Sequence, residues 1–219
     1  LRGLAKMIDF MRKHKFVAIM RNIDPAFAER TARALYDGGV RLFEVTFNLS
    51  DADTVKRTGS VIEKLNKMFD GTALVGAGTV LTLDFAHIAH SAGAGFIVSP
   101  STDASVMDYT KRHGMLSVPG AYTPTEIMTA YNLGADVVKI FPVAADEIGY
   151  LKNILSPLSH IPFMVTGGIN ADSISEFMKL NPVAVGAGTS LVTNDMAKDG
   201  RWDEICRNAK RHIEKIRNF

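Results

Sequence analysis

A single cysteine in 219 residues, Cys206, excludes an internal disulfide and any cysteine-built metal site. It stands in a charge-rich helical tail, where a packed thiol is expected, and so few thiols suit a reducing cytoplasm. Excess charge is equally scarce. The 25 Lys and Arg against 23 Asp and Glu leave +2, too little to call for nucleic acid or a membrane surface as partner. No apolar run approaches the ~18 residues of a membrane span. The opening residues, Leu1 to Lys6, lack the apolar stretch of a signal peptide, and the chain starts on Leu1, not Met, as a trimmed sequence would. Histidines are few and scattered: His87 and His90 sit three apart with no third ligand nearby in sequence, which reads as a solvated helix face. No HExxH run or EF-hand loop occurs, and no Gly-x-Gly-x-x-Gly follows the first strand candidate, so a dinucleotide crevice is not expected.

What is present is an alternation running from end to end without a linker or low-complexity stretch. Residues 3–14 read as a short leading helix, and strand candidates follow at 16–20, 41–46, 73–76, 95–98, 115–118, 136–141, 162–166 and 183–186. Helix candidates lie between them at 25–37, 51–68, 82–92, 103–112, 123–133, 147–156 and 171–179, with two more at 190–197 and 201–217. Asp24, Ser50, Thr82, Thr102, Thr123 and Asn170 are the expected helix caps. A hydrophobic content of 47% supports one substantial core. The expectation is a single domain over residues 1–219, an α/β protein of the (β/α)8 TIM barrel class with a short N-terminal helix. An open doubly wound sheet is the alternative architecture.

Within that pattern one lysine stands out. Lys139 lies in Val137-Val138-Lys139-Ile140-Phe141-Pro142, a continuous β-branched and aromatic run of the fully buried kind. Burial disfavours the ammonium form, and a neutral amine in an apolar pocket is a nucleophile for carbonyl carbon. The competing reading is a strand-end lysine whose stem packs while its head reaches water. With period two, Leu42, Glu44 and Thr46 share one side of the second strand, and Val137, Lys139 and Phe141 one side of the sixth. If those sides face the lumen, a carboxylate and an amine share one buried cavity. Such a pair is weak evidence for stability and better evidence for a site. A structural Glu–Lys pair is the plainer alternative.

Barrel active sites lie at the C-terminal strand ends, often with a phosphate held in the last two loops. Those loops here read Thr166-Gly167-Gly168-Ile169 and Gly186-Ala187-Gly188-Thr189-Ser190. Glycine lets backbone N–H groups approach an anion, although it serves simple tight turns as well.

Taken together, Glu44-Val45-Thr46, Gly76-Ala77-Gly78-Thr79-Val80-Leu81, Ser99-Pro100, Val118-Pro119-Gly120, Val138-Lys139-Ile140-Phe141-Pro142 and Thr166-Gly167-Gly168-Ile169 resemble, in order and spacing, the 2-keto-3-deoxy-6-phosphogluconate aldolases, which include 4-hydroxy-2-oxoglutarate aldolases. The resemblance spans nearly the whole chain. It implies a class I aldolase on a (β/α)8 barrel, needing no cofactor and no metal, cytoplasmic, usually a homotrimer, and acting on a phosphorylated keto-acid. It also implies Lys139 as the Schiff-base lysine and Glu44 as the general acid/base. Thr79 and Pro100 would line the pyruvate pocket beside Phe141, and Thr166, Gly167, Gly168, Gly188 and Thr189 would lie about the substrate and its phosphate. One departure stands out: where many members carry a carboxylate-binding arginine, this chain has Asn48, and Arg21 is the candidate replacement. That arrangement is similar to the branch cleaving the galactonate epimer. A phosphosugar epimerase or isomerase on the same barrel, and a non-catalytic phosphosugar-binding module, are the rival readings.

Overall fold

A computed structural model of the protein describes residues 3–51 and 53–219. Leu1 and Arg2 of the opening hexapeptide, and Ala52 within the expected helix 51–68, lie outside the described residues. The described strands are β1 (Phe16–Met20), β2 (Leu42–Thr46), β3 (Leu74–Gly78), β4 (Phe96–Val98), β5 (Leu116–Val118), β6 (Gly120–Ala121), β7 (Val138–Val143), β8 (Phe163–Gly167) and β9 (Ala184–Ala187). The helices are α1 (Leu4–His14), α2 (Pro25–Asp37), α3 (Thr54–Phe69), α4 (Leu83–Ser91), α5 (Ala104–Arg112), α6 (Pro124–Asn132), α7 (Ile148–Leu155), α8 (Ile174–Met178), α9 (Asn194–Lys198) and α10 (Trp202–Ile216).

All the strand pairings are parallel, in the order β5-β4-β3-β2-β1-β9-β8-β7-β6. The two ends of that order are halves of one segment. Leu116–Val118 pairs with β4, and Gly120–Ala121 pairs with β7. Pro119 lies between the halves. It has no N–H to give a ladder, yet its carbonyl accepts from the Lys139 N–H at 2.8 Å. The single fifth strand expected at 115–118 is therefore longer and broken, and it closes a (β/α)8 barrel.

The period-two alternation of parallel strands sorts the core into two layers. Ala18, Met20, Phe43, Val45 and Val138 face outward and pack against the helices. Val17, Leu42, Leu74, Phe96, Leu116, Val137 and Met164 face inward and join Met7 and Met11 of α1, which plugs the N-terminal mouth. The same alternation carries Glu44, Lys139 and Thr166 to the lumen one step further along their strands.

Most helix starts follow the expected chemistry. Asp24 accepts from the Ala26 N–H ahead of Pro25, Thr82 accepts from Phe85, and Thr123 forms a capping box with Glu126. Two expected caps are corrected. Asp103, not Thr102, caps α5, accepting from Ser105 and Val106, while Thr102 donates to the Gly120 carbonyl; an ionised oxygen is the stronger acceptor there. Ser50 does not cap α3, which begins after Asp53. Asn170 accepts from Asp172 and Ser173, turning the chain just ahead of α8.

Candidate active site

β2 and β7 bring Glu44 and Lys139 into the upper lumen, where they are 1% and 3% exposed. On one side of each the register neighbour is a glycine, Gly76 opposite Glu44 and Gly120 opposite Lys139, and Gly78 lies two residues beyond Gly76. Gly78 is the tightest of these positions. A Cβ there would overlap the Glu44 carboxylate, so the Gly-Ala-Gly of β3 is the berth for that side chain.

Glu44 Oε2 is buried with no hydrogen-bond partner, and the Thr166 hydroxyl is in the same state. Lys139 Nζ stands over the Phe141 ring, 4.5 Å from its centroid. Burial pushes Glu44 above its ordinary range, opposed by the positive charges of Lys139 and Arg21. Burial likewise lowers Lys139, with the Glu44 charge opposing and Arg21 reinforcing the shift. Desolvation leads in both. Burial in the lumen thus biases Glu44 toward its neutral acid and Lys139 toward its neutral amine. Arg21, exposed just past β1, is the cation whose field reaches both.

The other residues singled out in the sequence fall into three groups. Thr79 follows β3 with φ 58°, a conformation that β-branched residues rarely adopt, and strain of this kind gathers at functional sites. Pro100 and Phe141 line a rim groove of about 490 Å³ with Thr102, Tyr122 and Leu133. Asn48 is engaged within its own loop. Its side-chain oxygen accepts from the Ser50 N–H at 3.1 Å, and it borders a small cavity of about 210 Å³ with Asn22, Asp51 and Arg57.

The two glycine loops meet at the same end of the barrel. Gly167 has φ 149° and lies so close to the Val143 backbone that a Cβ would clash. The Gly168 N–H is already used, donating to the Val143 carbonyl at 2.8 Å. After β9, the Gly188 carbonyl accepts from both Leu191 and Val192, winding a single helical turn. The amides of Thr189 and Ser190 open that turn and donate to no protein acceptor among the described residues. The Ser190 hydroxyl donates to the Ile169 carbonyl at 2.8 Å and ties the loops together.

Sequence reasoning missed Ser190 as a member of the site, although its place in the glycine loop was the available signal. It also missed a brace. Tyr122 donates to Glu147 at 2.5 Å, which holds the phenol up to about 12, and the Tyr150 hydroxyl donates to the Tyr122 carbonyl. These bonds join the loops after β6 and β7. His87 and His90 are exposed on α4, as expected of a solvated face, and they have aromatic neighbours that the sequence did not show. His113 comes to 4.6 Å from the His90 ring, and Tyr109 packs among the three. No His, Cys, Asp and Glu group among the described residues is arranged to hold a metal.

Comparison with known proteins points to one family. The family model described as KDPG and KHG aldolase matches residues 7–208. The chain is 33% identical over 177 residues to the 2-dehydro-3-deoxy-phosphogluconate aldolase of Treponema pallidum, covering 80% of each. It is 28% identical over 185 residues to the 2-dehydro-3-deoxy-6-phosphogalactonate aldolase of Escherichia coli K12, covering 84% of this chain and 87% of that one. Among solved structures, the KDPG aldolase of Legionella pneumophila, with pyruvate captured as a covalent carbinolamine, superposes with a TM-score of 0.81 at 28% identity over 93% of this chain and 96% of that one.

Proposed function

The chain belongs to the KDPG and KHG aldolase family and is an aldolase, a lyase; on that premise we propose that Lys139 is its imine-forming residue and that its substrate is 2-keto-3-deoxy-6-phosphogluconate or the galactonate epimer. The observation that carries the reading is the buried, unpartnered Glu44 beside a buried Lys139, each held toward its neutral form by desolvation.

In this reading the Lys139 amine attacks the C2 ketone and forms a carbinolamine. Protonated Glu44 donates to the departing hydroxyl, leaving an iminium that withdraws electrons from C3. The Glu44 carboxylate then takes the C4 hydroxyl proton, the C3–C4 bond breaks, and glyceraldehyde 3-phosphate leaves. The remaining enamine is protonated at C3, and water releases pyruvate and the free amine. General acid–base help of this kind is worth ~10²–10⁴-fold.

Arg21 would hold the substrate carboxylate, because Asn48 is committed to its own turn. Thr79, Pro100, Phe141 and Thr166 would shape the keto-acid pocket. The open amides of Thr189 and Ser190, with Gly167 and Gly188 giving close approach, would take the phosphate. Gly168 would act through loop shape, since its N–H is spent on Val143. The use of Arg21 in place of an arginine at position 48 favours the galactonate series. We further read residues 1–219 as one catalytic domain, working as a cytoplasmic homotrimer.

A coupled assay of pyruvate release on both phosphorylated epimers and on 4-hydroxy-2-oxoglutarate tests the proposal. The phosphogalactonate compound is expected to show the highest kcat/KM. Faster cleavage of the gluconate epimer would overturn the C4 assignment, and C4 epimerisation without pyruvate release would establish the epimerase reading instead.

A further inference from the structure

We propose that the cleft at the N-terminal mouth of the barrel, opposite the catalytic end, binds a small phosphorylated metabolite carrying at least two negative charges. The cleft has a volume of about 620 Å³ and lies where the end of α1, the end of α7 and the lead-ins to β8 and β9 meet. Arg12, Lys15, Lys152 and His160 line it, and no Asp or Glu does. Its size falls in the range of small-molecule sites, ~300–1,000 Å³.

The positive charge of Arg12, Lys15 and Lys152 is answered by no carboxylate, since none of the three forms an ion pair among the described residues. Helix ends account for part of this. Arg12 lies in the last turn of α1 and Lys152 in the last turn of α7. Each helix C-terminus offers roughly half a negative charge. Three cations less about one charge from two helix ends leave roughly +2 unanswered, which suits a phosphate dianion or a diphosphate.

The backbone places these groups by helix termination. Lys15, at φ 57°, is the left-handed residue that ends α1, and Asn181, at φ 58°, closes the turn after α8; both line the cleft. Lys15 is fixed there by its N–H to the Met11 carbonyl and its own carbonyl to the Val185 N–H. Ser156, Ser159 and Asn181 offer hydrogen bonds at the rim, and Leu155 and Leu180 give an apolar surface for the ligand's carbon frame. Met7 and Met11 separate the cleft from the catalytic lumen, so the proposal is independent of the catalytic reading.

The test is calorimetric titration of the full chain with pyrophosphate, and separately with adenosine diphosphate, at low ionic strength. Wild type should show two sites. Thr189→Glu, which blocks the phosphate loops, should retain one. Lys15→Met/Lys152→Met should lose the other, weakening it at least tenfold, with kcat changed less than twofold. The exposed single variant Lys152→Glu serves if the double variant does not fold, and should show the same loss. Binding of unchanged stoichiometry and affinity in these lysine variants, or one site that vanishes entirely with Thr189→Glu, would overturn the proposal.

Discussion

The two ends of the barrel lumen are built from the same strands and behave as opposites. At the N-terminal end, Val17, Leu42, Leu74, Phe96, Leu116, Val137 and Met164 close on Met7 and Met11 of α1 in an apolar layer. A step or two further along β2, β7 and β8, the inward positions hold Glu44, Lys139 and Thr166. Glu44 Oε2 and the Thr166 hydroxyl there have no hydrogen-bond partner. Burying polar groups without partners costs about 1–3 kcal/mol each. The lower layer supplies the stability against which that cost is carried, and the upper layer holds groups whose reactivity comes from being deprived of water. The barrel therefore divides its labour along the strand direction.

The comparison makes opposite demands on mutations at the two ends. The largest effect is expected for Lys139→Met, which removes the proposed nucleophile. Turnover should vanish while the melting temperature holds or rises, because an apolar side chain replaces a buried amine. A melting temperature several degrees lower would show that Lys139 is structural. Phe96→Ala, in the lower layer, should do the reverse, costing about 3–5 kcal/mol of stability by denaturant unfolding with kcat of the folded fraction little changed.

Glu44→Gln comes next. It should lower turnover ~10²-fold or more with binding less affected, and turnover within a few-fold of wild type would move the proton transfers to another group. Smaller still is the response of the pH profile to Arg21. On the proposed imine chemistry, cleavage needs the unprotonated Lys139 amine, so kcat/KM should fall on the acid side as the amine protonates. The Arg21 charge lowers Lys139, and removing it with Arg21→Met should move that acid limb to higher pH. The smallest effect lies away from both ends. His212 is buried, and burial holds it below its ordinary 6.5. Its neutral form is the one the fold favours, so its contribution is complete above pH ~6.5 and is lost as pH falls below that value. Melting curves of His212→Gln should show a shallower decline between pH 7 and 5 than wild type.

Much of this was legible locally. The alternation of strands and helices, the Asp24-Pro25 start, the Thr123 cap and the shared inward phase of Glu44 and Lys139 all follow from short-range pattern. What could not be read depends on partners distant in sequence. The split at Pro119 emerges only once β4 and β7 flank the same segment. Gly168 loses its N–H to Val143 through strand pairing. Asn48 is the local exception, since its side chain accepts from the Ser50 amide only two residues on, an Asx turn. His113 joins His90 across two helices, which sequence spacing does not encode.

The central claim is that the upper lumen makes one lysine, among many, a carbonyl nucleophile. Incubation with pyruvate and borohydride, followed by peptide mass mapping, tests it most directly. The account predicts one reduced pyruvyl adduct per chain, on the peptide holding Lys139, with loss of activity in step and no adduct in Lys139→Met. An adduct on any other lysine, or full activity after treatment with none formed, would contradict it.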